Sequence, residues 1–203
     1  MREPIFKTVL GNQWMQLGSI VRQHYSLTPF SQDYVRVDGV MEEIHHSLIA
    51  KLLIPFGVLF GAVVPFRGAN VPVSVHYSSS PDDANLYWDR VFQFRNQKNF
   101  HFKSYMHHVS SNEVIEYVRF GVGMRLRVTA EDGALVFRDE GYVWRLFGHT
   151  LPIPAGLFFG NAYVEERPID ANSFSMKMEL AHPLFGTLFR YRGHFSIASN
   201  LSS

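Results

Sequence analysis

Residues 173–180 read SFSMKMEL: Phe174, Met176, Met178 and Leu180 alternate with Ser173, Ser175, Lys177 and Glu179. Successive side chains of an extended strand point to opposite faces, so a period of two describes a strand with one buried and one solvated face. The same period recurs on both sides of this segment. Downstream lies GTLFRYRGHFSI (186–197); upstream, NAYVEERP (161–168) is joined to it by the turn IDAN. Further upstream, VPVSVHY (71–77) alternates, and SSSPDDAN (78–85) carries turn residues. NLYWDRVFQFR (85–95) and FHFKSYMHH (100–108) flank the polar stretch NQKN. VIEYVRFGVGMRLRVTA (114–130) reads as one long strand with a bend or bulge at Gly121 and Gly123. Glu131-Asp132-Gly133 turns the chain into ALVFRDEGYVWRLF (134–147).

The first strand, 33–44, puts Val35, Val37, Gly39 and Met41 on one face. Residues 1–30 are helical in pattern: Pro4 opens a stripe of Ile5, Phe6, Val9 and Leu10 that Gly11 ends, and Leu17 to His24 supplies a second short helix. A mainly β chain of about 8–10 strands on short connections specifies an antiparallel meander. With aromatic residues at 15% of the sequence, the sheet is expected to close into a calycin- or lipocalin-like barrel able to hold one small ligand. No repeat or linker interrupts the pattern. The expectation is a single domain, 1–203, with strands over 71–197 and an apolar helix and loop over 47–66 covering one end.

The 203 residues are 46% hydrophobic and 18% charged, the balance of a folded chain rather than a disordered one. A formal net charge of +1 and the lack of a basic run argue against a nucleic-acid partner. There is no cysteine, which excludes disulfides, thiolate metal sites and a cysteine nucleophile. The opening MREPIFKTVLGNQW has no apolar leader core, so a cytoplasmic location is expected. Gly-rich phosphate loops, GxGxxG, GxSxG and HExxH are all missing, and no cofactor is expected.

Strand phase marks charges on the wrong face. In 85–94, Arg90 shares the phase of Leu86, Trp88, Phe92 and Phe94; in 114–128, Glu116 shares that of Val114, Phe120, Met124 and Leu126. An isolated buried charge costs several kcal/mol, so such residues are paired or perform a task. Three readings stand side by side: one Arg90–Glu116 ion pair that fixes register, a polar patch that orients a ligand in an apolar pocket, or bulges that shift the phase and leave both charges solvated. Glu43 and His45, in phase with Met41, and His108, in phase with Phe102 and Met106, are further candidates. No metal site is expected, because nothing makes these groups converge. In the last strand Arg190, Arg192 and His194 share one face and Tyr191 the other. The arginines form either a solvated basic face or an anion contact, and Tyr191 and Arg192 join the candidates for ligand contact.

The fifteen-residue run LLIPFGVLFGAVVPF (52–66) is uncharged but too short and too broken by Pro55, Gly57 and Gly61 for a membrane span. Ser47 can cap a short helix through Ile54, after which Pro55 disfavours straight continuation. The run is expected to be a lid, with Leu52, Phe56, Leu59 and Phe60 over the cavity and LPIPAGLFFG (151–160) beside it.

At HPLFGTLFRYRGHF (182–195), with Pro183, Gly186, Tyr191 and Gly193, the chain resembles the bacterial family known as domain of unknown function 4166. Trp88, Arg90 and Phe92 fit its W-x-R-x-F strand, and Glu116 precedes an aromatic-Gly strand as in the family. Asp132 to Leu135 fit its D-G-x-L turn; Leu151-Pro152 and LGNQW (10–14) fit as well. The resemblance implies a domain found alone or behind NAD(P)-binding oxidoreductase-like domains, here the stand-alone form, with no catalytic residue to carry over. Three functions follow as expectations. The first is a barrel that binds a small hydrophobic, lipid-like molecule. The second is an enzyme using Glu116 as general acid or base near Arg90. The third is an accessory protein docking to an oxidoreductase partner or a membrane surface.

Overall fold

The alternating segments become strands of one sheet in the computed structural model, which describes residues 2–198. In chain order they are β1 (Tyr34–His46), β2 (Gly68–Ser79), β3 (Leu86–Phe92), β4 (Phe100–Ser110), β5 (Glu113–Tyr117), β6 (Val122–Glu131), β7 (Ala134–Leu146), β8 (His149–Ile153), β9 (Asn161–Pro168), β10 (Ser173–His182) and β11 (Gly186–Ile197). All neighbouring pairs are antiparallel. Ten strands close into a barrel in which β1 pairs with β11, and β7 pairs with both β6 and β9; β8 lies outside on β7. Closure satisfies the backbone groups that an open sheet leaves at its two edges.

Two boundaries differ from the alternation reading. The segment 114–130 is not one bent strand but a hairpin, β5 and β6, joined across Arg119–Gly121. Phe120 (φ 59°) and Gly121 (φ 76°) are both left-handed, which reverses the chain and lets Val118 N–H donate to the Val122 carbonyl at 2.8 Å. The expected lid helix is α3 (Ala50–Phe60), and it runs through Pro55 instead of stopping at Ile54. Its half-buried stripe of Leu53, Ile54 and Val58 packs on the core on both sides of the proline, and that burial offsets the hydrogen bond the ring removes. Ser47 does cap the start, its Oγ accepting from Ala50 N–H at 3.1 Å. The strands also extend slightly past the expected limits, β1 to His46 and β2 back to Gly68; residue 1 and 199–203 lie outside the described residues.

The meander fixes which connections share an end. The β2–β3, β4–β5, β6–β7 and β9–β10 turns lie at one end, together with the start of β1. The N-terminal segment fills this end: α1 (Ile5–Leu10), a 3-10 turn (Gly11–Gln16) and α2 (Ser19–His24) bury Phe6, Val9, Trp14, Ile20, Val21 and Tyr25. Gly11, at φ 54°, ends α1 as expected, and a separate 3-10 turn follows. Two hydrogen bonds pin the plug to the β6–β7 hairpin, Gly18 N–H to the Gly133 carbonyl at 2.9 Å and Ala130 N–H to Gln13 Oε1 at 3.0 Å. The opposite end, the mouth, carries α3, the short helix α4 (Gly156–Phe159) and β8.

Closure brings β1 and β11 very near each other at two glycines. A Cβ on Gly39 would lie 2.2 Å from the His194 carbonyl oxygen, and one on Gly193 would lie 2.4 Å from that of Val40. Both obstacles are backbone, which cannot swing aside. Gly193→Val is therefore expected to lower unfolding free energy by about 2–3 kcal/mol. Urea denaturation followed by far-ultraviolet circular dichroism measures this; an unchanged midpoint would contradict the closure geometry.

Candidate functional site

Because β3 presents alternate residues inward, Trp88, Arg90 and Phe92 all face the barrel interior, where a cavity of about 120 Å³ remains between the side chains. Val63, in the segment that follows α3, reaches down to line it from the mouth. Most of the wall is apolar, and five of the chain's seven methionines belong to it: Met41, Met106, Met124, Met176 and Met178. The charged side chains of the wall are Arg90, Glu116 and Glu166.

Arg90 and Glu116 meet. The guanidinium Nη2 donates to Glu116 Oε1 at 2.9 Å, Nη1 donates to Ser104 Oγ at 3.0 Å, and Ser104 Oγ donates to the same Glu116 oxygen at 2.6 Å. The guanidinium also sits 4.1 Å from the Trp88 ring and 4.8 Å from the Phe102 ring. Both side chains are largely buried. The three strands β3, β4 and β5 thus hold one charge pair between two aromatic faces, an arrangement in which a delocalised cation is well stabilised. Ser104 escaped the sequence reading although its phase with Phe102 and Met106 would have placed it inside.

A second buried pair faces the cavity from β9 and the plug. Glu166 shares the inward phase of Ala162 and Val164, and its Oε2 lies 2.8 Å from His24 Nε2; His24 Nδ1 lies 3.0 Å from the Ile20 carbonyl oxygen. With Nδ1 donating to that carbonyl, the His24 ring bridges the Ile20 backbone and the Glu166 carboxyl group. Neither residue stood out in the sequence: Glu166 carried a phase signal, but His24 sits on a helix whose docking site only the tertiary fold reveals. The Phe174 ring stacks on His24 at 4.4 Å, and Tyr25 and Tyr77 pack beside it. Burial, reinforced by the Glu166 charge, holds both phenols well above their ordinary range, so they keep their protons. Among the described residues, the buried polar side-chain atoms without a partner are Tyr25 Oη, Trp88 Nε1 and His46 Nε2.

The remaining expectations fall in different places. Phe92 and Tyr191 line the interior, and Tyr191 Oη accepts from Val64 N–H at 3.4 Å. Phe120 does not: it is exposed at the tip of the β5–β6 turn, because the left-handed turn ends the phase that the single-strand reading extended through it. Glu43 and His45 are likewise outside. An extra residue between Met41 and Glu43 shifts the β1–β11 register, so that Met41 pairs with Gly193 and Glu43 with Arg192. This bulge turns Ile44 and His46 inward and Glu43 outward, where Arg190 (2.8 Å) and Arg192 (2.9 Å) bind its carboxylate and hold its pKa at about 2. Those two arginines are thus engaged by a protein carboxylate. His108 is at the plugged end, bonded to the Ser111 carbonyl at 2.9 Å. On α3, Leu52, Phe56 and Leu59 point to solvent, Phe60 packs against Phe120, and the inward side of the lid is Leu53, Ile54 and Val58. No group of three or more His, Asp or Glu among the described residues could hold a metal ion. No helix among them is long and apolar enough to cross a membrane.

Two predictions follow from these contacts. Replacing Glu116 by Leu strands the Arg90 charge and should cost about 3 kcal/mol, whereas the double change Arg90→Leu, Glu116→Leu should recover most of it. Urea titration of the four proteins completes the cycle, and additive losses would show the pair to be uncoupled. His46, buried beneath the lid with Arg67 and His45 nearby, has its pKa lowered from 6.5 to about 4. The unfolded chain therefore binds the extra proton first, and stability falls as pH drops from 6.5 toward 4, by roughly 3 kcal/mol at the lower end. His46→Leu should flatten that slope in thermal melts across the window; an unaltered slope would assign the acid sensitivity elsewhere.

Comparison with known proteins agrees with the family resemblance read from the sequence. The uncharacterized protein YndH of Bacillus subtilis (strain 168) is 26% identical over 167 residues, which covers 77% of this chain and 80% of the relative. A family model described as a domain of unknown function, DUF4166, matches residues 17–195, from the helical plug to the strand that closes the barrel. The chain belongs to the DUF4166 family.

Proposed function

We propose that the barrel binds a small, mostly apolar molecule in its interior cavity. The observation that carries this reading is the composition of the wall: an unfilled space of about 120 Å³ bounded by five methionines. A thioether side chain is unbranched, polarizable and able to adopt many rotamers, so a methionine wall adapts to an apolar guest at little cost. A core evolved only for rigidity would use branched side chains packed without a void. The space is comparable to one that admits a single small ring in an engineered cavity, and methionine movement extends it to a short acyl or terpenoid segment.

The polar groups give the guest an orientation. The Arg90–Glu116–Ser104 cluster is satisfied within the protein, so it presents a fixed dipole to the cavity rather than a hungry charge. Trp88 Nε1, buried and without a partner, is a donor left over in the wall. A ligand with one carbonyl or hydroxyl oxygen on an apolar body matches this inventory. Tyr77 and Trp88, which line the cavity and pack on each other, would then hold its polar end.

The test combines recovery and blockade. Organic extracts of the folded protein, read by mass spectrometry, should contain a stoichiometric apolar compound, and titration with octanol should change the fluorescence of Trp88. Ala162→Leu, which adds three carbons to the cavity wall, should abolish both signals with stability altered by less than about 1 kcal/mol, because it fills space that is already empty. A void-free interior would instead be overpacked and lose about 1–3 kcal/mol. An extract without ligand together with octanol binding unaffected by Ala162→Leu would sink the proposal.

A further inference from the structure

The two ends of the barrel differ in chemistry. Five connections meet at the mouth: 47–67, 93–99, 118–121, 147–160 and 183–185. Not one of them contains an aspartate or glutamate. Lys51, Arg67, Arg95, Lys98 and Arg119 lie in them, Arg145 stands just before the fourth, and all six side chains are exposed. The plugged end is mixed but acidic on balance, with Glu3, Asp33, Asp82, Asp83, Asp132 and Asp170 in or beside its turns against Arg2, Lys7 and Arg22 of the plug. A net charge of +1 for the whole chain hides this polarity.

The mouth is also where the apolar surface is. Of the seventeen large hydrophobic side chains exposed among the described residues, twelve belong to this end. They come from four of the five connections, with Leu52 (74% exposed) on α3, Phe120 (65%), Phe147 (99%), Phe158 and Leu184 (82%). Every Phe-Gly dipeptide of the sequence, at 56, 60, 120, 147, 159 and 185, lies here too. Phe120 and Phe147 are held at φ 59° and 47°, a left-handed conformation that disfavours a bulky side chain and suits Asn or Gly. Two turns thus carry an exposed aromatic ring at a conformational cost that Asn or Gly would avoid; Phe120 packs edge-on against Phe60, whereas Phe147 is almost wholly exposed.

We propose that the mouth of the barrel docks onto an anionic lipid bilayer, with the phenylalanine and leucine tips inserted at the level of the headgroups and the six cations against lipid phosphates. Exposed apolar tips gathered at one end among cations, without an acid in the same connections, mark an interaction surface. Peripheral attachment of this kind combines buried apolar area with attraction to acidic lipids. A second copy of the chain is disfavoured as the occupant, because mouth-to-mouth pairing would oppose six positive charges to six more. The plugged end, with its aspartates, faces away from the lipid. This proposal does not depend on what the cavity holds.

The test is co-sedimentation of the full chain with vesicles of pure phosphatidylcholine and with vesicles containing roughly one-third phosphatidylglycerol. The protein should pellet with the anionic vesicles, at least about ten-fold more tightly than with the neutral ones, and added salt should release it. The double variant Phe120→Asn, Phe147→Asn should weaken vesicle binding by about ten-fold or more, while its melting temperature stays equal or rises, since Asn accepts positive φ. Octanol binding, measured without vesicles, should be unchanged in that variant. The proposal is overturned if the parent stays in the supernatant with anionic vesicles, or if the double variant binds them as the parent does. A dimer in sedimentation velocity that the variant abolishes, with no vesicle binding, would assign the mouth to self-association and overturn it as well.

Discussion

Everything in this molecule rests on the pairing of β1 with β11. That single antiparallel contact, from Val37 opposite Ile197 to His46 opposite Phe189, turns a ten-strand meander into a tube. It is made tight by Gly39 and Gly193, where backbone rather than side chain forms the wall. Once the tube is closed, each strand has one face that must be apolar and one that must be wet. The inner face then contains a narrow space whose few charges cannot reach water and must find each other. The Arg90–Glu116 and His24–Glu166 pairs are consequences of closure as much as features of a site.

The fold was legible because the period of two is strict over most of the sheet, and because charges that break it are rare. Phase alone brought Arg90 and Glu116 to one interior, and they sit within hydrogen-bond distance. What phase could not see was any event that changes it. The extra residue after Met41 exchanged the roles of His45 and His46, so the histidine read as inward faces out and its neighbour is buried. The left-handed pair Phe120-Gly121 converted one expected strand into a hairpin. Both are single-residue irregularities, invisible to a window that averages over several positions. The partnership of His24 with Glu166 was out of reach for another reason: it spans 142 positions and depends on how a short helix docks into the end of the tube.

The interior and the exterior solve the same electrostatic problem in opposite ways. Outside, Glu43, Glu131 and Glu165 are each held by arginines on the solvated face, and their carboxyl groups titrate below the usual range. Such pairs cost little to make and little to lose. Inside, each charge has one assigned partner and aromatic rings around it, so the pattern specifies which side chains meet rather than how firmly the barrel holds. The mouth follows neither rule. Its cations lack acidic neighbours within their own connections and its apolar tips have no cover, which separates this end from the rest of the surface.

Closure also sets the order in which the protein can be made. The plug precedes the barrel in the chain, and the residues it packs against in β9 and β10 come more than a hundred positions later. The strand that seals the barrel, β11, comes last of the described strands. Until β11 has been made, a nascent chain therefore carries an apolar plug segment and two unpaired sheet edges. Contacts of such long sequence separation slow folding and leave edges open to pairing with other chains while they wait. The same β1–β11 seam that joins the two sides of the finished barrel makes the unfinished one dependent on prompt completion or on a chaperone.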